Sequence, residues 1–150
     1  MQIAEYDIAR CIETLDSPVM KDFVDNLDTV FTLAESSDGF VWRCKTDDDA
    51  AESYLIDGDP LMVENLSVWA SVSDLHNFLY RTHHVNIMKR GKDWFNPLSV
   101  TKVALWYVED GYQPTIEESR ERLKHLQTHG DSDYVFGLHS REFFASDING

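Results

Sequence analysis

An α+β sandwich is what this 150-residue sequence predicts, with elements in the order strand, helix, strand, strand, helix, strand and a further helix behind them. Three observations carry that reading. Apolar residues alternate with period two near the N-terminus, and 61–69 reads as a half-buried strand ending in Trp69. Apolar residues recur with period 3.6 at 20–34 and again at 75–85. The segment Val103–Val108 is apolar throughout.

The first strand is Gln2–Cys11, which alternates around Ile3, Tyr6 and Ile8. Asp16-Ser17-Pro18 opens a helix, with Ser17 suited to the N-cap and Pro18 to the first helical position. Met20, Phe23, Val24, Leu27, Val30, Phe31 and Ala34 make its stripe, and Gly39 can take the left-handed conformation behind it. Residues 40–44 form a second strand, and Tyr54-Leu55-Ile56 is expected to continue the hairpin before Gly58-Asp59-Pro60 breaks it. Residues 61–69 give the third strand. Ser71 with Asp74 starts a second helix that Gly91 interrupts and Pro97 ends. Apolar on both faces, Val103–Val108 reads as a central strand.

That order is the ferredoxin-like βαββαβ pattern. A capping box at Thr115 and Glu118, with Glu118–Arg122 spaced i to i+4, predicts the extra C-terminal helix. Its narrow stripe is Ile116, Leu123 and Leu126, and a short apolar segment, 134–138, and a polar tail follow. The whole is read as one domain over 1–150, with its core in 1–110 and the helix and tail in 111–150.

Composition excludes more than it suggests. A net charge of −14, from 27 acidic and 13 basic residues, repels phosphate backbones and anionic lipid heads. Nucleic acid and membrane are therefore not expected partners. Glu5 and Asp7 interrupt the apolar residues of the N-terminus, which rules out a signal peptide, and the chain reads as cytoplasmic. Cys11 and Cys44 lack the spacing of a zinc or redox pair and read as buried thiols. A four-stranded sheet with helices on one side leaves its other face open, so a two-fold homodimer joined through that face is expected.

Chemistry concentrates in the second helix and the strand before it. Continued as one helix, the sequence puts Leu75, Phe78, Leu79, Thr82 and Val85 on one face. His76, Tyr80 and His83 then lie on the other, facing solvent, with His84 further round. His76 and His83 stand about 10 Å apart along such an axis, and no pair has i to i+4 spacing, so a metal site on protein ligands is not expected. A haem needs only one axial imidazole. His84 can act as a proton acceptor near neutrality. Asn65, an amide in an apolar strand, needs partners and could orient a carbonyl. Trp69, Tyr80, Trp94 and Tyr112 are candidate walls, and Arg43 a candidate for an anionic group. Asp47-Asp48-Asp49 lacks the glycine and distal glutamate of an EF-hand and reads as a solvated turn.

The segments G-F-V-W-R (39–43), N-L-S-V-W-x-S-V (65–72), F-L-Y-R-T-x-H (78–84), M-K-R (88–90) and W-F (94–95) resemble a family known as domain of unknown function 3291. So do L-W-Y-V (105–108), G-Y-x-P-T (111–115) and R-L-x-H-L (122–126). The resemblance implies the dimeric α/β-barrel superfamily, which holds cofactor-independent monooxygenases, polyketide cyclases and haem proteins. His84, Trp94 and Phe95 fall on the motif and His83 does not. Tyr112 stands where a histidine is expected. By this resemblance the chain is a small-molecule-processing enzyme of the monooxygenase or cyclase type, needing no cofactor. His84 and Asn65 would be catalytic, and an aromatic or polyketide-like substrate would lie against Trp69 and Trp94. A haem- or ligand-binding dimer without turnover is the alternative, with His84 as axial ligand.

Overall fold

The computed structural model of the chain describes residues 1–56 and 58–140, so the polar tail at 141–150 lies outside the described residues. β1 (Gln2–Cys11) runs through the middle of an antiparallel sheet. On one side it pairs with β3 (Met62–Trp69), and β2 (Phe40–Arg43) lies beyond. On the other side, β4 (Phe95–Asn96) pairs Arg10 and Cys11, and β5 (Val103–Val108) pairs residues 2–7. The fold is ferredoxin-like, as the element order predicts.

Side chains along β1 alternate between two layers, as a pleated strand requires. Ile3 and Trp69 pack against α1 (Lys21–Glu35) and α2 (Val72–Arg81). Ala4, Tyr6, Leu66, Val68, Ala104 and Trp106 pack instead against Leu123 and Leu126 of α5 (Ile116–His129) and against Val135. Each of these nine residues is at most 4% exposed, so the second face is closed by the chain's own helix. That overturns the premise that a partner sheet must cover it. It also explains β5, which is apolar on both faces because both are covered. Among the described residues β5 is not central: β1 is its one strand partner, apart from a single bridge between Leu105 and Phe136.

The helix starts follow the capping residues. Ser17 Oγ accepts from Val19 N–H and opens a 3-10 turn at Pro18–Met20 that leads into α1. Ser71 Oγ accepts from Asp74 N–H at 3.1 Å. Thr115 and Glu118 make both bonds of their box, while Arg122 turns to the Tyr134 carbonyl and lies over Trp106. Gly39, at φ +81°, lets β2 begin where a Cβ would stand 2.2 Å from Asp74 Cγ.

Two expected elements differ. Residues Ala51–Tyr54 form a 3-10 turn, and the expected hairpin strand shrinks to a single bridge between Leu55 and Val63. The Tyr54 hydroxyl is drawn towards Arg43 and Asp49 instead of into a ladder. The second helix is three: α2, α3 (His84–Lys89) and α4 (Gly91–Trp94). Thr82 is extended at φ −118° and ψ 179°. Its Oγ1 donates to the Phe78 carbonyl and accepts from His84 N–H, so one hydroxyl ends α2 and starts α3.

Candidate functional site

A cavity of about 310 Å³ separates the helical layer from the β1–β3 surface. α1 contributes Phe23 and Leu27, α2 Phe78 and Leu79, α3 His84 and Ile87, and α4 Trp94. Its floor is polar. Pairing of Glu5 with Ser67 and of Asp7 with Asn65 across the strands puts four hydrogen-bonding side chains side by side.

The floor is wired in one direction. Trp69 Nε1–H donates to Ser67 Oγ at 3.0 Å. An indole can only donate, so Ser67 has its single hydrogen free for Glu5 Oε2, 3.3 Å away. Glu5, itself 6% exposed, lies beside Asp7 on the same face of β1. Burial holds the Glu5 carboxyl well above the usual carboxylate range, and the neighbouring Asp7 charge pushes the same way.

His84 stands in the layer above. Its Nδ1 lies 3.4 Å from the Leu79 carbonyl and its ring leans on Phe78, with centroids 4.6 Å apart. A carbonyl can only accept, so that contact favours the tautomer with hydrogen on Nδ1 and a lone pair on Nε2. Burial lowers its pKa below the ordinary histidine value, and the Leu79 carbonyl and the Asp7 charge only partly oppose this. The cavity thus pairs an imidazole whose burial favours the neutral form with a carboxyl whose burial favours the protonated form, an acid and a base set apart by their surroundings.

The structure gathers four of the seven expected site residues in full. His84, Asn65, Trp69 and Trp94 all line the cavity. Arg43 borders it, but its guanidinium is already held by Glu35, Asp49 and Tyr54 and lies 3.9 Å over Phe31. Asp49, at φ 54°, is therefore an anchor for Arg43 and not merely a solvated turn. Tyr80 and Tyr112 lie outside the lining. Tyr80 is 38% exposed beside His76, and Tyr112, 45% exposed, donates to Glu118 beside α5. His76, expected to face solvent, is buried at 9%. The break at Thr82 takes His83 and His84 off the wheel of α2, which still holds His76.

Glu5 and Asp7 were the residues the sequence reading missed as site groups. Their signal was present: two acids on the same strand face as Ile3. No group of three or more His, Cys, Asp or Glu among the described residues is placed to hold a metal, and Cys11 and Cys44 are both free. Among the described residues no helix is long and apolar enough to cross a membrane.

The family model of Domain of unknown function (DUF3291) matches residues 2–149. The chain belongs to the DUF3291 family. No curated protein matches this DUF3291 chain. Among solved structures it is similar to a protein of unknown function from Nitrosomonas europaea, with 13% identity and a TM-score of 0.51. That match covers 76% of this chain and 95% of the other, and shows the shared fold. A candidate antibiotic biosynthesis monooxygenase from Chloroflexus aurantiacus J-10-fl is also similar, with 13% identity, a TM-score of 0.48, and coverage of 75% and 98%.

Proposed function

We propose that the cavity is a small-molecule site for proton-transfer chemistry, of the cofactor-independent monooxygenase or cyclase type, acting on a ring-bearing substrate. The observation that carries this reading is a largely apolar chamber with a neutral imidazole on one wall and a buried acid on the other. A volume near 310 Å³ suits a compact ring system.

In this reading Trp69 and Trp94 flank the rings. His84 takes a proton from a carbon beside a carbonyl, and the Asn65 amide donates to the oxygen on which charge develops. Ring closure follows where the carbanion attacks a second carbonyl of the same molecule. In the monooxygenase variant dioxygen is the co-substrate and accepts the electrons. A haem is poorly accommodated. Beside His84 the cavity is lined by the Glu5 and Asp7 carboxyls and its buried cation, Arg43, is already neutralised, so the lining does not suit a group that itself carries two carboxylates.

A homodimer is also part of the proposal. Because α5 occupies the second sheet face, its contact must lie elsewhere than between the two sheets. Sedimentation at micromolar concentration should return twice the 17.3 kDa chain mass, and a compact single-chain species would refute the dimer.

The site itself is tested by His84→Gln, which keeps size and hydrogen bonding but removes titration near neutrality. Turnover of an enolisable aromatic ketone should fall by about 10²–10⁴. Stability should change by less than about 1–2 kcal/mol. A large fall in melting temperature with unchanged per-molecule activity would take His84 out of the chemistry.

A further inference from the structure

The cavity floor carries a charge that the protein leaves uncompensated. Glu5 and Asp7 lie side by side on that floor, and Ser67 directs its only hydrogen to Glu5 Oε2. Among the described residues no cation forms an ion pair with Asp7. The basic groups that line the cavity do not pair with Asp7. Arg43 is bound by Glu35 and Asp49, Lys102 is exposed, and His84 is held neutral by its burial. A carboxylate beside a largely apolar chamber is under-solvated, and a cation that enters with an apolar body relieves it. Trp69, Phe78 and Trp94 bound the chamber and offer an apolar wall to the carbon skeleton of such a ligand.

We propose that this cavity takes an apolar amine, whose ammonium group pairs with Asp7 while its carbon skeleton lies among Trp69, Phe78 and Trp94. The proposal rests on the cavity being a ligand site and names the polar end of that ligand. Carboxylates and phosphates are excluded by the same charge. The His84 base is unaffected by this assignment, since it acts on a carbon further along the same molecule.

Three naphthalenes that differ in one substituent test it: the 2-aminomethyl, 2-hydroxymethyl and 2-carboxylate compounds, titrated calorimetrically against the full chain at pH 7.5. The amine should bind at least about tenfold more tightly than the alcohol, and the carboxylate should not bind measurably. Asp7→Asn should abolish the preference for the amine and leave the alcohol within about twofold. Glu5→Gln, which keeps a hydrogen-bond donor beside Asp7, should preserve the preference. Equal binding of amine and alcohol to the wild-type chain overturns the amine assignment but leaves the cavity as a ligand site. A preference that survives Asp7→Asn overturns it as well, because it would then arise from the overall negative charge. Failure of all three compounds to bind overturns both this proposal and the small-molecule site beneath it.

Discussion

The two faces of one sheet are built to opposite ends. Towards α5, the side chains of β1, β3 and β5 meet Leu123, Leu126 and Val135 with almost no exposure. Towards α1 and α3, the same strands leave about 310 Å³ open and place two acids, a serine and an amide along its floor. A protein interior ordinarily packs to the density of an organic crystal. A chamber kept open beside a fully packed layer therefore marks the face with a task, and the packed face supplies the stability that allows it.

The comparison breaks first on large-to-small changes. Leu126→Ala, on the α5 side, should cost about 2–5 kcal/mol in chemical denaturation, because its neighbours cannot collapse into the gap. A loss below about 1 kcal/mol would show that α5 is only loosely docked. Small-to-large changes at two alanines sharpen the contrast. Ala104→Leu, on the packed face, should destabilise by about 1–3 kcal/mol. Ala9→Leu, whose side chain borders the cavity, should cost less than about 1 kcal/mol and abolish ligand binding. Equal penalties at the two positions would mean that the cavity is closed in solution.

The smallest expected effect is a pH dependence. The folded Glu5 pKa lies above its unfolded value, so over the interval between them the native chain holds a proton that the unfolded chain has lost. Stability from this group is thus present at acid pH and declines as pH rises through that interval. Glu5→Gln should melt higher than the wild type, with a gap that grows as pH rises above the ordinary carboxylate value near 4.5. His84 has the opposite sense. Its folded pKa is lowered, so wild-type stability falls as pH drops below about 6.5, and His84→Gln should lessen that fall. Melting curves that stay parallel across this range would place both groups in contact with water.

The parts legible in the sequence are those governed by local chemistry. β1, β3, β5 and the stripe of α1 follow from periodicity, and the caps at Ser71 and Thr115 from side chains reaching three residues ahead. Thr82 escaped because a threonine fits the apolar face of a helix as well as it stops one, and its bond to Phe78 decides between them. That single break takes His83 and His84 off the wheel of α2. α5 was legible as a helix, but its narrow stripe did not disclose that it would close a whole sheet face. Of the site, His84, Asn65, Trp69 and Trp94 were found because each is unusual where it stands. Glu5 and Asp7 were passed over because acids in a strand are ordinary until the partner strand places Ser67 and Asn65 beside them.

The bridge between Leu105 and Phe136 bears on how copies of the chain can meet. Both of its hydrogen bonds are 2.8 Å long, and they occupy the backbone of β5 at mid-length on the side away from β1. An outer strand with free amides and carbonyls is a template on which a second chain can extend the sheet. Here that template is interrupted by the protein's own polypeptide. Among the described residues no strand or bridge covers the outer edge of β2, at the opposite margin. Strand-by-strand growth of this sheet, whether in orderly assembly or in aggregation, is thereby steered to the margin that holds Val41.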